Sequence, residues 1–213
     1  MKLEYKIRPS IVEDGPIPAL FMLHGYGADM NDLFGLSNQI PAEFAVISLQ
    51  APRRLPWGGY SWYAISPDPS GGLQSNVEEA KQSMVWVTEN VKAIIQEMGL
   101  DQNRLFFMGF SQGTILSLAL GAEGVLKPTG ILALSGYLNL DFCTSKGGDI
   151  SMGGTAIFQS HGTEDAVIPL SKAEETRDLL EMLDMDYTFK TYSAGHGIHP
   201  DNWLDALRWL KNH

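Results

Sequence analysis

Apolar runs of strand length alternate with longer, helix-patterned segments along most of this 213-residue chain, and that alternation leaves few folds open. Strand, covering helix and strand in succession build a parallel sheet with helices on both faces. The runs "KLEYKIR", "ALFMLH", "FAVISLQA", "RLFFMGF", "GILALSG", "AIFQSHG" and "YTFKTYS" are the expected strands. Several are almost wholly apolar, as central strands buried on both faces must be, whereas a half-exposed antiparallel strand would alternate. Between them, Val77, Ala80, Met84, Val87, Val91, Ile94, Ile95 and Met98 recur at steps of three and four. That spacing predicts an amphipathic helix, capped by Asn76 with Glu79 and stopped by Gly99. Ser171 with Glu174 is expected to cap a second helix, "KAEETRDLLEML", and Pro200 to open the last, "PDNWLDALRWLKN". The fold class is therefore α/β, with a mostly parallel central sheet and helices on both faces. The length suits one large core, so residues 1–213 are expected to form one domain.

Residues 51–75, "APRRLPWGGYSWYAISPDPSGGLQS", break the alternation. Loops beyond about 12 to 15 residues in compact domains are usually functional or disordered. The rings of Trp57, Tyr60, Trp62 and Tyr63, with Ile65 and Leu73, argue against disorder. Two readings follow: a wall or lid over a substrate pocket, or a satellite hydrophobic cluster packed on the sheet. On the first, Trp57, Trp62, Tyr63 and Leu73 line the pocket, joined by Val167 from the loop after "AIFQSHG".

The charge balance, 15 Lys and Arg against 25 Asp and Glu for a net −10, argues against a nucleic-acid partner, which calls for clustered basic residues. The start, "MKLEYKIRPSIVEDG", carries charges where a secretory signal would be apolar, and no run of transmembrane length follows. Stable membrane insertion is therefore not expected. A single cysteine, Cys143, excludes an intramolecular disulfide and fits a reducing compartment, so a cytoplasmic location is expected. Cys143 itself lies in "LDFCTSKGG", without strand-turn-helix context, and reads as a plain thiol rather than a nucleophile. No Cys/His cluster has metal-site spacing, and neither metal nor cofactor is expected.

Where chemistry concentrates is "GFSQG", Gly109 to Gly113, between the apolar run "RLFFM" and the helical "TILSLALGA". Composition alone would produce Gly-x-Ser-x-Gly about 0.2 times in such a chain, so the motif needs partners before it means anything. A serine hydroxyl is a weak nucleophile: it requires a base, an acid that orients the base, and donors for the oxyanion. Strand before and helix after are what a nucleophile elbow demands, with glycines making room around a strained Ser111. Upstream, "LHGYG" ends a strand with His24-Gly25-Tyr26-Gly27, and its glycines allow the Tyr26 amide to share an oxyanion hole with the Gln112 amide at the helix start. His24 precedes the nucleophile at a strand end and reads as a loop-shaping residue.

Downstream, "SHGTEDAVIP" places Asp165 just after a strand, where catalytic residues gather in open α/β sheets. Glu164 competes with it, His161 is read as tying the loop together, and a plain surface turn is the non-catalytic alternative. The next strand runs into "AGHGIHP". His196, between Gly195 and Gly197, sits on a tip that can reach over the sheet, whereas His199 before Pro200 reads as a helix entry.

Ser111, Asp165, His196 is the chain order of the α/β-hydrolase triad. On "LHGYGADMNDL", "SWYAI", "GFSQG", "SHGTEDAVIP" and "YSAGHGI" the sequence resembles the phospholipase/carboxylesterase family of small α/β-hydrolases, which includes the acyl-protein thioesterases. The resemblance implies a single-domain esterase without a large cap. It implies Ser111 as nucleophile, His196 as base and acid, Asp165 as orienting acid, and the Tyr26 and Gln112 amides as oxyanion hole. Thr114 stands where many relatives have another Gly, and Ala64 where a "WYDI"-like segment commonly has Asp; these bear on packing under the elbow and on the pocket loop.

The expected activity is hydrolysis of carboxylic esters, or thioesters, of small or medium apolar acyl groups through an acyl-enzyme on Ser111. Lipid deacylation of the lysophospholipase or acyl-protein thioesterase type is the alternative on the same serine, with peracid formation as a further variant of its chemistry. A non-catalytic ligand-binding protein is the alternative of another class. The expected partner is a small-molecule ester or thioester, with a homodimer left open.

Overall fold

Each of the seven expected strands enters one sheet, and their spatial order decides where a site can form. The computed structural model describes residues 1–68, 73–144 and 150–213. The sheet runs β1 (Tyr5–Arg8), β3 (Ala45–Leu49), β2 (Ala19–Leu23), β8 (Leu105–Phe110), β9 (Gly130–Leu134), β10 (Ala156–Gly162), β11 (Tyr187–Tyr192). Only β1 is antiparallel to its neighbour; the other pairs are parallel. From β2 the chain moves outward to β3, then returns to β8 on the other side of β2. That reversal makes a topological switch point between β2 and β8, and ligands of open α/β sheets bind outside the carboxyl ends of strands at such points.

The central strands β2, β3, β9 and β10 are buried at every position, as their unbroken apolar runs predict. Alternate residues feed two cores. Phe21, Ile47, Phe107 and Ile131 pack under α2 (Val77–Met98), α3 (Gln112–Glu123) and α4 (Leu170–Met182). Leu20, Val46, Phe106 and Leu132 pack on the other face, with α1 (Asn31–Phe34) and, from α5 (Pro200–Asn212), Trp203 and Trp209. Burying each such side chain contributes about 1.5–3 kcal/mol. Described residues form a single α/β domain around this one sheet.

Two helix starts differ in detail from expectation. The Asn76 side chain accepts from the Glu79 amide, and Gly99 closes α2 in the left-handed conformation. The Glu79 carboxylate, however, does not complete a reciprocal box: it accepts from the Ala64 amide at 2.7 Å and pairs with Arg53 at 2.8 Å. Ser171 does not cap α4, which begins one residue earlier at Leu170 after Pro169 and has no side-chain cap. Proline has already fixed the entry backbone there, leaving Ser171 in the first turn.

Residues 51–75 fold into two small hairpins rather than an open loop: β4 (Arg53–Arg54) with β5 (Tyr60–Ser61), and β6 (Ile65–Pro67) with β7 (Leu73–Ser75). Residues 69–72 of this stretch, and 145–148 of "LDFCTSKGG", lie outside the described residues. Cys143 is buried behind the short turn Leu140–Phe142 and packs in the larger core. Among the described residues no helix is long and apolar enough to cross a membrane.

Candidate active site

The turn from β8 into α3 is tight enough to dictate its residues. Ser111 has φ 53° and ψ −116°, a conformation that non-glycine residues adopt at a cost of about 1–3 kcal/mol and that clusters at functional sites. A Cβ on Gly113 would lie 1.8 Å from the Leu23 carbonyl oxygen, and one on Gly109 would lie 2.4 Å from the Thr114 nitrogen. Neither neighbour can yield, because both are backbone. Thr114, where the resemblance would place a glycine, is accommodated from below: its hydroxyl donates to the Leu134 carbonyl at 2.7 Å, and Gly136 leaves the space that its methyl fills.

Three side chains from three strand ends meet above this turn. His196 Nδ1 lies 2.7 Å from Asp165 Oδ2 and its Nε2 lies 2.9 Å from Ser111 Oγ. A carboxylate only accepts, so Nδ1 carries the proton and donates, leaving the Nε2 lone pair to accept the serine hydroxyl. The Asp165 side chain is fully buried. Burial pushes its pKa up, but hydrogen bonds from His196 and from the Ile168 and Val167 amides outweigh that and hold it below the usual carboxylate range. Those amides reach Oδ1 at 2.9 and 2.8 Å. The His196 ring rests against Phe110, with ring centroids 5.0 Å apart.

The competing residues stand elsewhere. Glu164 is exposed and accepts from the Ser193 hydroxyl. His199 caps α5, accepting from the Asp201 amide at 3.2 Å. His161 is buried, and its Nε2 donates to the Ile168 carbonyl at 2.8 Å, beside Asp165. His24 is fully buried at the end of β2. Its Nδ1 faces the Gly25 carbonyl, so Nδ1 donates and Nε2 accepts from the Ala51 amide and the Gln50 carboxamide. Desolvation lowers its pKa, opposed by the Gly25 carbonyl and by Asp29 and Asp32. His24 is thus a neutral bracket between the 25–28 loop and the start of the 51–75 stretch.

Tyr26 and Gln112, from opposite sides of the switch point, border the same cavity as Ser111 and His196. Among the described residues neither backbone N–H has an acceptor in the chain. The cavity measures about 680 Å³. Its lining combines apolar side chains, Ile65, Leu73, Ile115 and Val167 among them, with the hydroxyl-bearing Tyr63, Ser75 and Tyr137. Burial pushes the pKa values of both phenols up, so they remain neutral.

Of the expected pocket residues, Tyr63, Leu73 and Val167 line this cavity and two do not. Trp57 is 73 % exposed at the tip of the β4–β5 turn, where a Pro-Trp-Gly-Gly sequence points outward. Trp62 is completely buried, its indole N–H donating to the His24 carbonyl at 2.9 Å, so it supports the site from behind. Tyr137 and Ser75 were not evident from sequence. Tyr137 follows the end of β9, and the strand-end rule that located Asp165 would have located it too.

The family profile described as phospholipase/carboxylesterase matches residues 12–213. Acyl-protein thioesterase 1 of Yarrowia lipolytica is 30% identical over 176 residues, 78% of this chain and 72% of that protein. Among solved structures, esterase PE8 superposes with TM-score 0.87 at 22% identity, covering 100% of this chain and 99% of that one. The Bacillus cereus carboxylesterase gives 0.84 at 18% identity, covering 99% and 94%. At these identities the structural likenesses bear on the fold, an α/β-hydrolase; the match over nearly the whole sequence makes the chain a member of the phospholipase/carboxylesterase family.

Proposed function

We propose that the protein is a serine hydrolase that cleaves carboxylic esters or thioesters of small or medium apolar acyl groups. The observation that carries this reading is the unbroken chain Asp165 to His196 to Ser111, at 2.7 and 2.9 Å, opening on a cavity with two unspent backbone N–H groups. Ser111 Oγ attacks the acyl carbon as its proton passes to His196 Nε2, and the Tyr26 and Gln112 amides receive the developing oxyanion. Collapse of the tetrahedral adduct expels the alcohol or thiol, which takes the proton from His196. Water then repeats the sequence on the acyl-enzyme, with His196 again as base, and frees the acid. Asp165 keeps its charge throughout and stabilises the imidazolium. The apolar lining residues Ile65, Leu73 and Val167 would receive the apolar acyl chain.

A second reading keeps the serine and changes the substrate to an acylated lipid, as the family description suggests, or to an acylated protein, as the name of the Yarrowia relative does. Reaction with a fluorophosphonate followed by mass mapping tests the first claim: the expected label is on Ser111, and folded protein labelled elsewhere or not at all excludes it. Profiling 4-nitrophenyl esters against lysophospholipid and acyl-thioester substrates separates the two readings.

A further inference from the structure

The Gln112 side chain has a place that the oxyanion role of its backbone does not explain. Its Oε1 accepts from the Trp62 amide at 2.8 Å and its Nε2 donates to the Tyr63 carbonyl at 2.9 Å, both bonds buried. A carboxamide that satisfies the N–H of one residue and the C=O of the next holds this bend closed and fixes the position of residues 62 and 63 relative to the head of α3. The same segment is bound to the other half of the hole. The Trp62 indole N–H donates to the His24 carbonyl at 2.9 Å. Gly27 N–H donates to Tyr60 C=O and Tyr60 N–H to Ala28 C=O, each at 2.8 Å. Gly59 lies so close beneath Gly27 that an added Cβ would fall 1.9 Å from the Gly27 carbonyl oxygen.

From these contacts we infer that residues 59–63 are a fixed strut across the oxyanion hole, and that the Gln112 side chain is the positioning residue that sets the distance between the Tyr26 and Gln112 amides. The inference rests on the serine reading proposed above. It also removes residues 59–63 from any lid, since their backbone is bonded to the 25–28 loop, to β4, to Ser83 of α2 and to Gln112 of α3. Tyr63, held by Gln112, then forms a rigid wall of the cavity rather than an adjustable one.

A matched pair of ketones tests this. An alkyl trifluoromethyl ketone accepts Ser111 Oγ at its carbonyl carbon; the π pair moves to oxygen, the serine proton goes to His196, and the oxyanion enters the hole. The corresponding alkyl methyl ketone occupies the cavity without adding. Gln112→Met, close in shape but unable to make either bond, is expected to lower kcat/KM for 4-nitrophenyl butyrate by roughly 10- to 100-fold, somewhat less than removing a donor outright. It should raise the inhibition constant of the trifluoromethyl ketone by the same factor and leave that of the methyl ketone within about twofold. Trp62→Phe, which removes the indole N–H together with part of a fully buried ring, is a second variant at the other end of the strut. It should move the same two quantities in the same directions, and its effect should shrink in the Gln112→Met background, since both act through one strut. Equal weakening of both ketones, or of neither, in a folded variant overturns the inference. Wild-type protein that is neither labelled by fluorophosphonate nor hydrolytic overturns the serine reading instead.

Discussion

At the residue scale, the site depends on a few proton positions that the hydrogen bonds fix. His196→Ala is expected to lower kcat by several orders of magnitude while His199→Ala stays near wild type, because only His196 bridges Ser111 and Asp165. Steady-state kinetics decides between them, and equal losses would leave His196 without its assigned role. Asp165→Asn should lower kcat by about 10⁴-fold, since a carboxamide at that place can present N–H to His196 Nδ1 and turn the ring into the wrong tautomer. Trp57→Ser should leave kcat/KM for short esters within about twofold, as its side chain points to solvent. The meeting of Ser111, Asp165 and His196 was legible in the sequence, because each follows a strand and a local rule finds each separately. The fate of Trp57 and Trp62 was not. An aromatic ring is an equally good pocket wall, core plug or exposed tip, and only the path of the hairpin chooses among the three.

At the element scale, accuracy comes from backbone packed on backbone. Gly113→Ala would drive a Cβ into the Leu23 carbonyl at the β2–β8 seam, with no flexible side chain to give way. A loss of more than about 3 kcal/mol in denaturant unfolding is expected, within the range of severe overpacking. Gly59→Ala meets the Gly27 carbonyl and also carries φ +73°. Its position at the strut, away from the sheet core, predicts that activity falls more than stability. Unfolding midpoints and kcat measured on the same preparation give that ratio. The periodicity of α2 and the apolar β2, β3, β9 and β10 were legible because burial writes its period directly into sequence. The hairpins in 51–75 were not, since strands of two or three residues are too short to show a period and are held by partners distant in the chain, such as Gln112 and Glu79.

At the scale of the whole molecule, pH acts through His24. Its folded pKa lies below the unfolded value of about 6.5, so between the two the unfolded chain binds a proton that the folded chain does not. Stability contributed by neutral His24 is therefore present above about pH 6.5 and is lost as the pH falls towards the folded pKa. Asp165 has the same form in a lower pH window: its folded pKa is lowered, so its contribution holds above about pH 3.9 and disappears as the pH falls through the folded value. Urea midpoints between pH 7.5 and 5 should decline for wild type, and a parallel decline in His24→Gln would assign the effect elsewhere. The strand reversal at β2 and β8 has a kinetic consequence as well. Ser111 and His196 are 85 residues apart in the chain, and the two halves of the proposed oxyanion hole follow strands that meet only when the middle of the sheet closes. No fragment of the molecule can be partly active: during refolding, the capacity to react with a fluorophosphonate should return with the last, global phase, after helix content has already recovered.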